Sequence, residues 1–229
     1  MFDANSSVKK EPYAADGCAC LCPLHVNPRV LLKKRMIGDF KGAYKYYKSR
    51  VLFPELISAT CSGSCSEKSA GSKSSYFITN IEKACANAEI QQESSKGMVL
   101  SKEGKRAAII GGGLGGMATA AFLRNYRYEV HVYEKTEWLG GSFRQLAPRK
   151  SLLRELYEIA DMPGVRVLYR QRVDTMDICE VYDAVCNTGI EAWRTAEQPN
   201  LFHVFGETPE AIIAGAIKAG QQIVKYLNG

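Results

Sequence analysis

RAAIIGGGLGGMATAAFLRNYRYEVHVYE, residues 106–134, decides how the second half of this chain folds. It opens on a short apolar run, Arg106 to Ile110, that reads as a strand. Gly111, Gly113 and Gly116 follow in G-x-G-x-x-G order, and a run of small and apolar residues after them reads as a helix. YEVHVYE then alternates as a second strand. In this strand–turn–helix setting each glycine has a task. Gly111 allows the tight turn, Gly113 lets the backbone approach a pyrophosphate, and Gly116 lets helix and strand pack closely. Leu114 and Gly115 stand in the first helical turn, whose free N–H groups and positive dipole end face an anion. Glu134 ends the second strand, 18 residues after Gly116, where a carboxylate accepts hydrogen bonds from ribose hydroxyls, and Lys135 follows it. The plainer reading is a Gly-rich turn with no ligand. The agreement of glycines, strand, helix and acid counts against it.

The residues beyond extend the pattern. A glycine pair, Gly140 and Gly141, soon follows the acid. SLLRELYEIA reads as a helix, GVRVLYRQRV and YDAVCNTG as strands, LFHVFG as a last short strand and PEAIIAGAIKAGQQIVKYL as a long closing helix. Strands alternating with helices predict an α/β fold with a parallel sheet covered on its faces.

Before residue 93 the character differs. VNPRVLLKKRMIGDF and KGAYKYYKSRVLF have apolar residues at helical spacing, and Thr79 opens a third helical run. We divide the chain into an arm (1–16), a helical Cys-containing domain (17–92), a polar linker (93–105) and the α/β domain (106–229). The 229 residues are 46% hydrophobic and 24% charged, which excludes disorder of the whole chain. No run approaches a membrane span, and residues 1–17 lack the apolar core of a signal peptide. The expectation is a cytoplasmic protein without membrane insertion. A net charge of +6 does not call for nucleic acid.

Six of the eight cysteines lie within the first 85 residues: Cys18, Cys20, Cys22, Cys61, Cys65 and Cys85. In a reducing compartment such clustering suggests metal rather than disulfides. Cys18-x-Cys20-x-Cys22-Pro23 and Cys61-x-x-x-Cys65 have the short spacings beside Pro or Gly that let thiolates converge on an iron–sulfur cluster. Zinc is the chemical alternative. Cys179 and Cys186 flank a predicted strand and read as core. His25, His131 and His203 have no partner spacing for metal or triad chemistry. Lys33-Lys34-Arg35 reads as a solvated helix face, and Tyr44, Tyr46 and Tyr47 as packing.

Assembled, these residues resemble the small-subunit family of NADPH-dependent glutamate synthase and the matching segments of dihydropyrimidine dehydrogenase and ferredoxin-dependent transhydrogenase. The resemblance is carried by Cys22-Pro23, IGDFKGAYKYY, FPELISATCSGSC, NIEKA, GGGLGGMATA and VYEKTEWLGGSFR. Two later steps join them: Thr188-Gly189 after Asn187, and Gly206-Glu207, where the family has Gly-Asp. It implies FAD on the Rossmann-like half, held by Gly111, Gly113, Leu114, Gly115, Gly116, Glu134, Lys135, Gly140, Gly141, Arg144, Thr188, Gly189, Gly206 and Glu207. It implies one 4Fe–4S cluster on Cys22, Cys61 and Cys65, with Glu82 at the position of a helix-borne fourth ligand. Cys18, Cys20 or Cys85 are the other candidates for that ligand. Thr79-x-x-Glu82 also has capping-box spacing, a purely structural role.

The departures are informative. A further cysteine of the family pattern falls at Ser69, and the upstream cysteines are compressed to Cys18 and Cys20, so a second, outer cluster is not expected. Only 16 residues separate Gly189 from Gly206, too few for the nicotinamide-binding domain that the family inserts there. Gln145 and Leu146 replace the family's Tyr-Gly, while Arg144 and Pro148 match. The expected function is an iron–sulfur flavoprotein subunit, passing electrons between FAD and one cluster to partner subunits that carry clusters or an NAD(P)H site. A stand-alone FAD-dependent oxidoreductase and a non-catalytic scaffold are the alternatives.

Overall fold

The computed structural model describes residues 22–61, 104–146, 153–189 and 198–229. The chain divides into two compact units, Met1–Ser94 and Ser95–Gly229.

Among the described residues of the first unit three helices follow one another: α1 (Pro28–Met36), α2 (Phe40–Arg50) and α3 (Pro54–Thr60). Their ends are set by local chemistry. Pro28 fits the first helical position because its missing N–H would lack an intrahelical partner anyway. Asn27 caps α1 by accepting the Arg29 N–H at 3.0 Å. Gly38, at φ +77°, turns the chain out of α1, and Asp39 caps α2 by accepting the Gly42 N–H at 2.8 Å. The Asn27 N–H donates to the Tyr46 hydroxyl, tying the start of α1 to the end of α2. Leu24, Val26, Leu31, Ala43, Tyr47, Val51, Phe53, Leu56 and Ile57 are buried between these segments. The first helix stands within its predicted run, and the second begins one residue ahead of its own. The third had no periodic signal of its own, being a short helix begun by Pro54.

The second unit contains β1 (Arg106–Ile110), α4 (Leu114–Asn125), β2 (Glu129–Glu134), α5 (Phe143–Leu146), α6 (Arg154–Ala160), β3 (Val165–Tyr169), α7 (Thr175–Val181), β4 (Ala184–Asn187), β5 (Leu201–His203) and α8 (Pro209–Leu227). The five strands form one parallel sheet in the order β3-β2-β1-β4-β5. This is the doubly wound arrangement, and the strand order reverses between β1 and β4, where such sheets bind ligands. The middle strands are nearly continuous apolar runs, as burial on both faces demands. Ala107, Ala108 and Ile109 of β1 and all four residues of β4 are buried.

The covering helices follow from strand alternation. In register, Ala107 and Ile109 pair with Val130 and Val132 on one side and with Ala184 and Cys186 on the other. Their face meets α4, where Thr119 lies against the Cys186 thiol. Helix α4 packs in turn on α8, close enough that a Cβ on Gly220 would lie 2.4 Å from Phe122 Cδ1. On the opposite face Ile178 and Tyr182 cover Ala108 and Val185.

The structure corrects three details. The run GVRVLYRQRV is a strand only over Val165–Tyr169, because Arg170 turns the backbone at φ +56°. The stretch after it contains α7, capped by Asp174, whose carboxylate accepts the Met176 N–H at 2.8 Å. Cys179 therefore lies in α7 and Cys186 inside β4, rather than flanking one strand. No helix among the described residues is long and apolar enough to cross a membrane.

Candidate functional site: the glycine cradle at the sheet's reversal point

The turn between β1 and α4 is held from three sides. Gly111 takes φ +106°, and its N–H donates to the Tyr133 carbonyl at 2.9 Å. The Gly112 N–H donates to Glu134 Oε2 at 2.8 Å, and the Gly112 carbonyl accepts the Gly140 N–H at 2.9 Å. Thr188, just past β4, donates from its hydroxyl to the carbonyls of Ile110 (3.0 Å) and Gly111 (3.2 Å). The predicted residues after β1, β2 and β4 are thus brought to one place.

A hypothetical Cβ separates the glycines by task. On Gly116 it would lie 1.9 Å from the Gly111 carbonyl oxygen, so Gly116 serves helix–strand packing. On Gly113 it would find no atom nearer than Gly141 Cα at 4.0 Å. Nothing in the packing of the described residues demands a glycine there. Gly113 caps α4 without a side-chain acceptor, which leaves the first-turn N–H groups, Leu114 and Gly115 among them, with no side-chain cap. Such a terminus suits phosphate oxygens.

Gly140 (φ +105°) and Gly141 (φ +50°) both take glycine's conformations, and Gly140 pairs with Gly113 as an isolated bridge. Arg144 stacks its guanidinium 4.6 Å from the centre of the half-exposed Trp138 ring. Lys135 is exposed. The Gly189 N–H donates to Asn187 Oδ1 at 2.9 Å. At the other side, a Cβ on Gly115 would stand 3.0 Å from Val204 and 3.2 Å from Ile212, so the starts of α4 and α8 abut. Gly206 sits against the first turn of α8, 2.4 Å from the Ile212 nitrogen by the same measure, and Glu207 is exposed beside it.

Two of the predicted residues also make contacts within the protein. Thr188 spends its hydroxyl on the glycine turn, so it positions the cradle. Glu134 is 4% exposed and accepts from Gly112 and from both the N–H and the hydroxyl of Thr136, each at 2.8 Å. Thr136 and Asn187 were missed as supporting residues. A Thr two residues after the strand-ending acid was the available signal for the first.

Of the cysteine site, Cys22 and Cys61 are described and half-buried. Cys22 opens a turn whose His25 N–H donates back to its carbonyl at 2.9 Å. Cys61 follows α3, and its N–H donates to the Ile57 carbonyl at 2.8 Å. Cys18, Cys20, Cys65, Glu82, Cys85 and Pro148 lie outside the described residues. Among the described residues no group of three or more His, Cys, Asp or Glu side chains is placed to hold a metal ion.

Residues 109–208 match the family of NAD(P)-binding Rossmann-like domains. The small chain of NADPH glutamate synthase from Azospirillum brasilense is 30% identical over 131 residues, covering 54% of this chain and 27% of that protein. Its counterpart from Bacillus subtilis (strain 168) is 28% identical over 153 residues, covering 62% and 29%. A zeta-carotene-forming phytoene desaturase from Myxococcus xanthus is 31% identical over 110 residues, covering 36% and 21%. The matches thus span less than a third of the length of these curated relatives. Residues 109–208, which carry most of the cradle described above, are thus similar to NAD(P)-binding Rossmann-like domains, and the chain is similar to the small chain of NADPH glutamate synthase.

Proposed function

We propose that the chain is an oxidoreductase component: an iron–sulfur flavoprotein that passes electrons between FAD and one 4Fe–4S cluster within a larger redox complex. The observation that carries this reading is the cradle at Gly113. A glycine that packing does not require stands where a pyrophosphate would approach, under an uncapped helix start and beside a second glycine pair. The relatives' names support the redox class: one is an NADPH-linked synthase and another a desaturase.

In this reading Gly111, Gly113, Gly140 and Gly141 admit the backbone to the diphosphate, while Gly116 seats the helix on the strand beneath it. Leu114 and Gly115 offer N–H groups, and Glu134 orients the ribose end. Gly206 and Glu207, at the start of α8, stand at the ribityl end. Cys22 and Cys61, with Cys65 and Glu82 from outside the described residues, would hold the cluster. FAD supplies the exchange between two-electron and one-electron chemistry, and the cluster the one-electron carrier. The protein's part is to bind both and to exclude water from them.

A second reading has the same cradle take NAD(P) directly, which the matched domain family favours. Extraction and identification of the bound dinucleotide separate the two, FAD supporting the first and NAD(P) without flavin the second. Anaerobic mixing then tells a partner-dependent flavoprotein from a stand-alone one. A subunit that depends on partners keeps its flavin oxidised when NADH or NADPH is added alone, yet bleaches with dithionite. Rapid bleaching by NAD(P)H alone would instead identify a stand-alone oxidoreductase.

A further inference from the structure

We infer that the turn joining α1 to α2 is a docking surface for an acidic protein. Met36, Ile37 and Phe40 are 78%, 72% and 50% exposed, and they surround the Gly38 turn as one apolar tip. Large apolar side chains clustered this way mark interaction sites far more often than bare surface.

The charge around the tip is one-sided. Helices α1 and α2 carry Arg29, Lys33, Lys34, Arg35, Lys41, Lys45, Lys48 and Arg50 against a single carboxylate, Asp39. That excess is larger than the +6 of the entire chain. Asp39 is itself committed, pairing with Lys34 at 3.0 Å and capping α2. The Arg35 guanidinium lies 5.2 Å over the Phe40 ring. Met, Phe and Arg at the centre with lysines around them is the anatomy of a protein interface, where the rim selects a partner of opposite charge.

The other anionic or apolar occupants fit less well. A second copy would set two such cationic rims against each other. A bilayer that took up Ile37 and Phe40 would draw the Asp39 carboxylate between them toward anionic headgroups. Nucleic acid would want free aromatic faces, but Tyr47 is fully buried and the Tyr46 hydroxyl accepts the Asn27 N–H.

This inference rests on the subunit reading, but its readout is association and needs neither cofactor. The tagged full chain is purified from its own cells in three forms: wild type, Met36→Ser/Ile37→Ser/Phe40→Ser, and Lys33→Glu/Lys41→Glu/Lys45→Glu. Each is treated with a carbodiimide that joins amines to carboxylates, and the cross-links are mapped by mass spectrometry. The expected result is a stoichiometric partner, cross-linked through an acidic segment to Lys33, Lys41 or Lys45, and at least a tenfold loss of it in both variants. Raising salt should weaken the wild-type complex. Partner retention by both variants overturns the docking surface and leaves the subunit reading standing. A wild-type chain that purifies alone overturns both. Patch-dependent sedimentation with phosphatidylglycerol vesicles would reassign the surface to lipid. A melting temperature lowered by several degrees in both variants would mean that the chain itself covers the tip.

Discussion

The Gly112 N–H donates to the Glu134 carboxylate at 2.8 Å, joining the glycine turn to the end of the neighbouring strand. Two further bonds from Thr136 hold the same carboxylate, which is buried. Glu134→Ala strands the buried Gly112 N–H, whereas the groups of the exposed Thr136 can turn to water, and leaving a buried donor unsatisfied costs about 1–3 kcal/mol. We predict a loss of about 2 kcal/mol or more in denaturant unfolding, together with loss of bound dinucleotide. Glu134→Gln, which keeps the shape and one acceptor oxygen, should recover part of the stability. Unchanged stability in Glu134→Ala would show that the carboxylate does not brace the turn.

Gly113 and Gly116 should respond oppositely to the same methyl group. In Gly116→Ala the Cβ meets the Gly111 carbonyl oxygen at 1.9 Å, so the backbone must move and the domain is expected to unfold or lose several kcal/mol. In Gly113→Ala the Cβ comes no nearer than an ordinary contact with Gly141 Cα at 4.0 Å, so the melting temperature of the cofactor-free protein should stay within about a degree or two of wild type. Dinucleotide affinity should nevertheless fall at least tenfold. Equal affinity in Gly113→Ala and wild type would remove the pyrophosphate from this cradle.

Much of this geometry was legible because the glycine fingerprint is local. Residues 106–134 specify strand, turn, helix and strand through neighbours in sequence, and the structure assembles them as read. What was not legible is non-local. The run ending in Gln171-Arg172-Val173 has strand-like composition, but Arg170 turns away at positive φ and Asp174 nucleates a helix instead. The contacts of Thr188 with Ile110 and Gly111 span more than 70 residues, and no spacing rule shows that its hydroxyl is used inside the protein. The proposed cluster would depend on Cys22 and Cys61 converging with residues beyond those described, which no local spacing shows.

Cys186 supplies a pH test. Burial pushes its thiol up to about 12, against an ordinary value near 8.5, and the Thr119 hydroxyl offsets part of that. Below about pH 8.5 the thiol is protonated in both folded and unfolded chains, and stability does not depend on it. Above that the unfolded chain releases the proton and the folded one keeps it, so stability falls as pH rises toward 12. Unfolding measured between about pH 8 and 10 should show this decline, and Cys186→Ala should flatten it. An equal slope in both proteins would contradict it.

Tyr182 ties three side chains together on the less covered face of the sheet. Its hydroxyl lies 2.7 Å from His131 Nδ1 and 2.8 Å from the Tyr133 hydroxyl, while His131 Nε2 reaches Glu129 at 3.0 Å. Tyr182→Phe keeps the ring beneath the Arg106 guanidinium but strands both partners. We expect a loss of about 1–2 kcal/mol with dinucleotide binding unchanged, since Tyr133 joins the cradle through its backbone carbonyl and not through the hydroxyl that Tyr182 contacts. A loss of binding as large as that of Gly113→Ala would connect this network to the site.

The central claim, one dinucleotide in the Gly113 cradle and one thiolate-bound cluster, is tested most directly by cofactor content after anaerobic purification. Flavin is extracted and identified, and iron, acid-labile sulfide and zinc are quantified in wild type and in Cys22→Ser and Cys61→Ser. The account predicts about one FAD with about four iron and four sulfide per chain, and loss of iron but not of FAD in both cysteine variants. Protein without flavin, or with zinc and no sulfide, would contradict it.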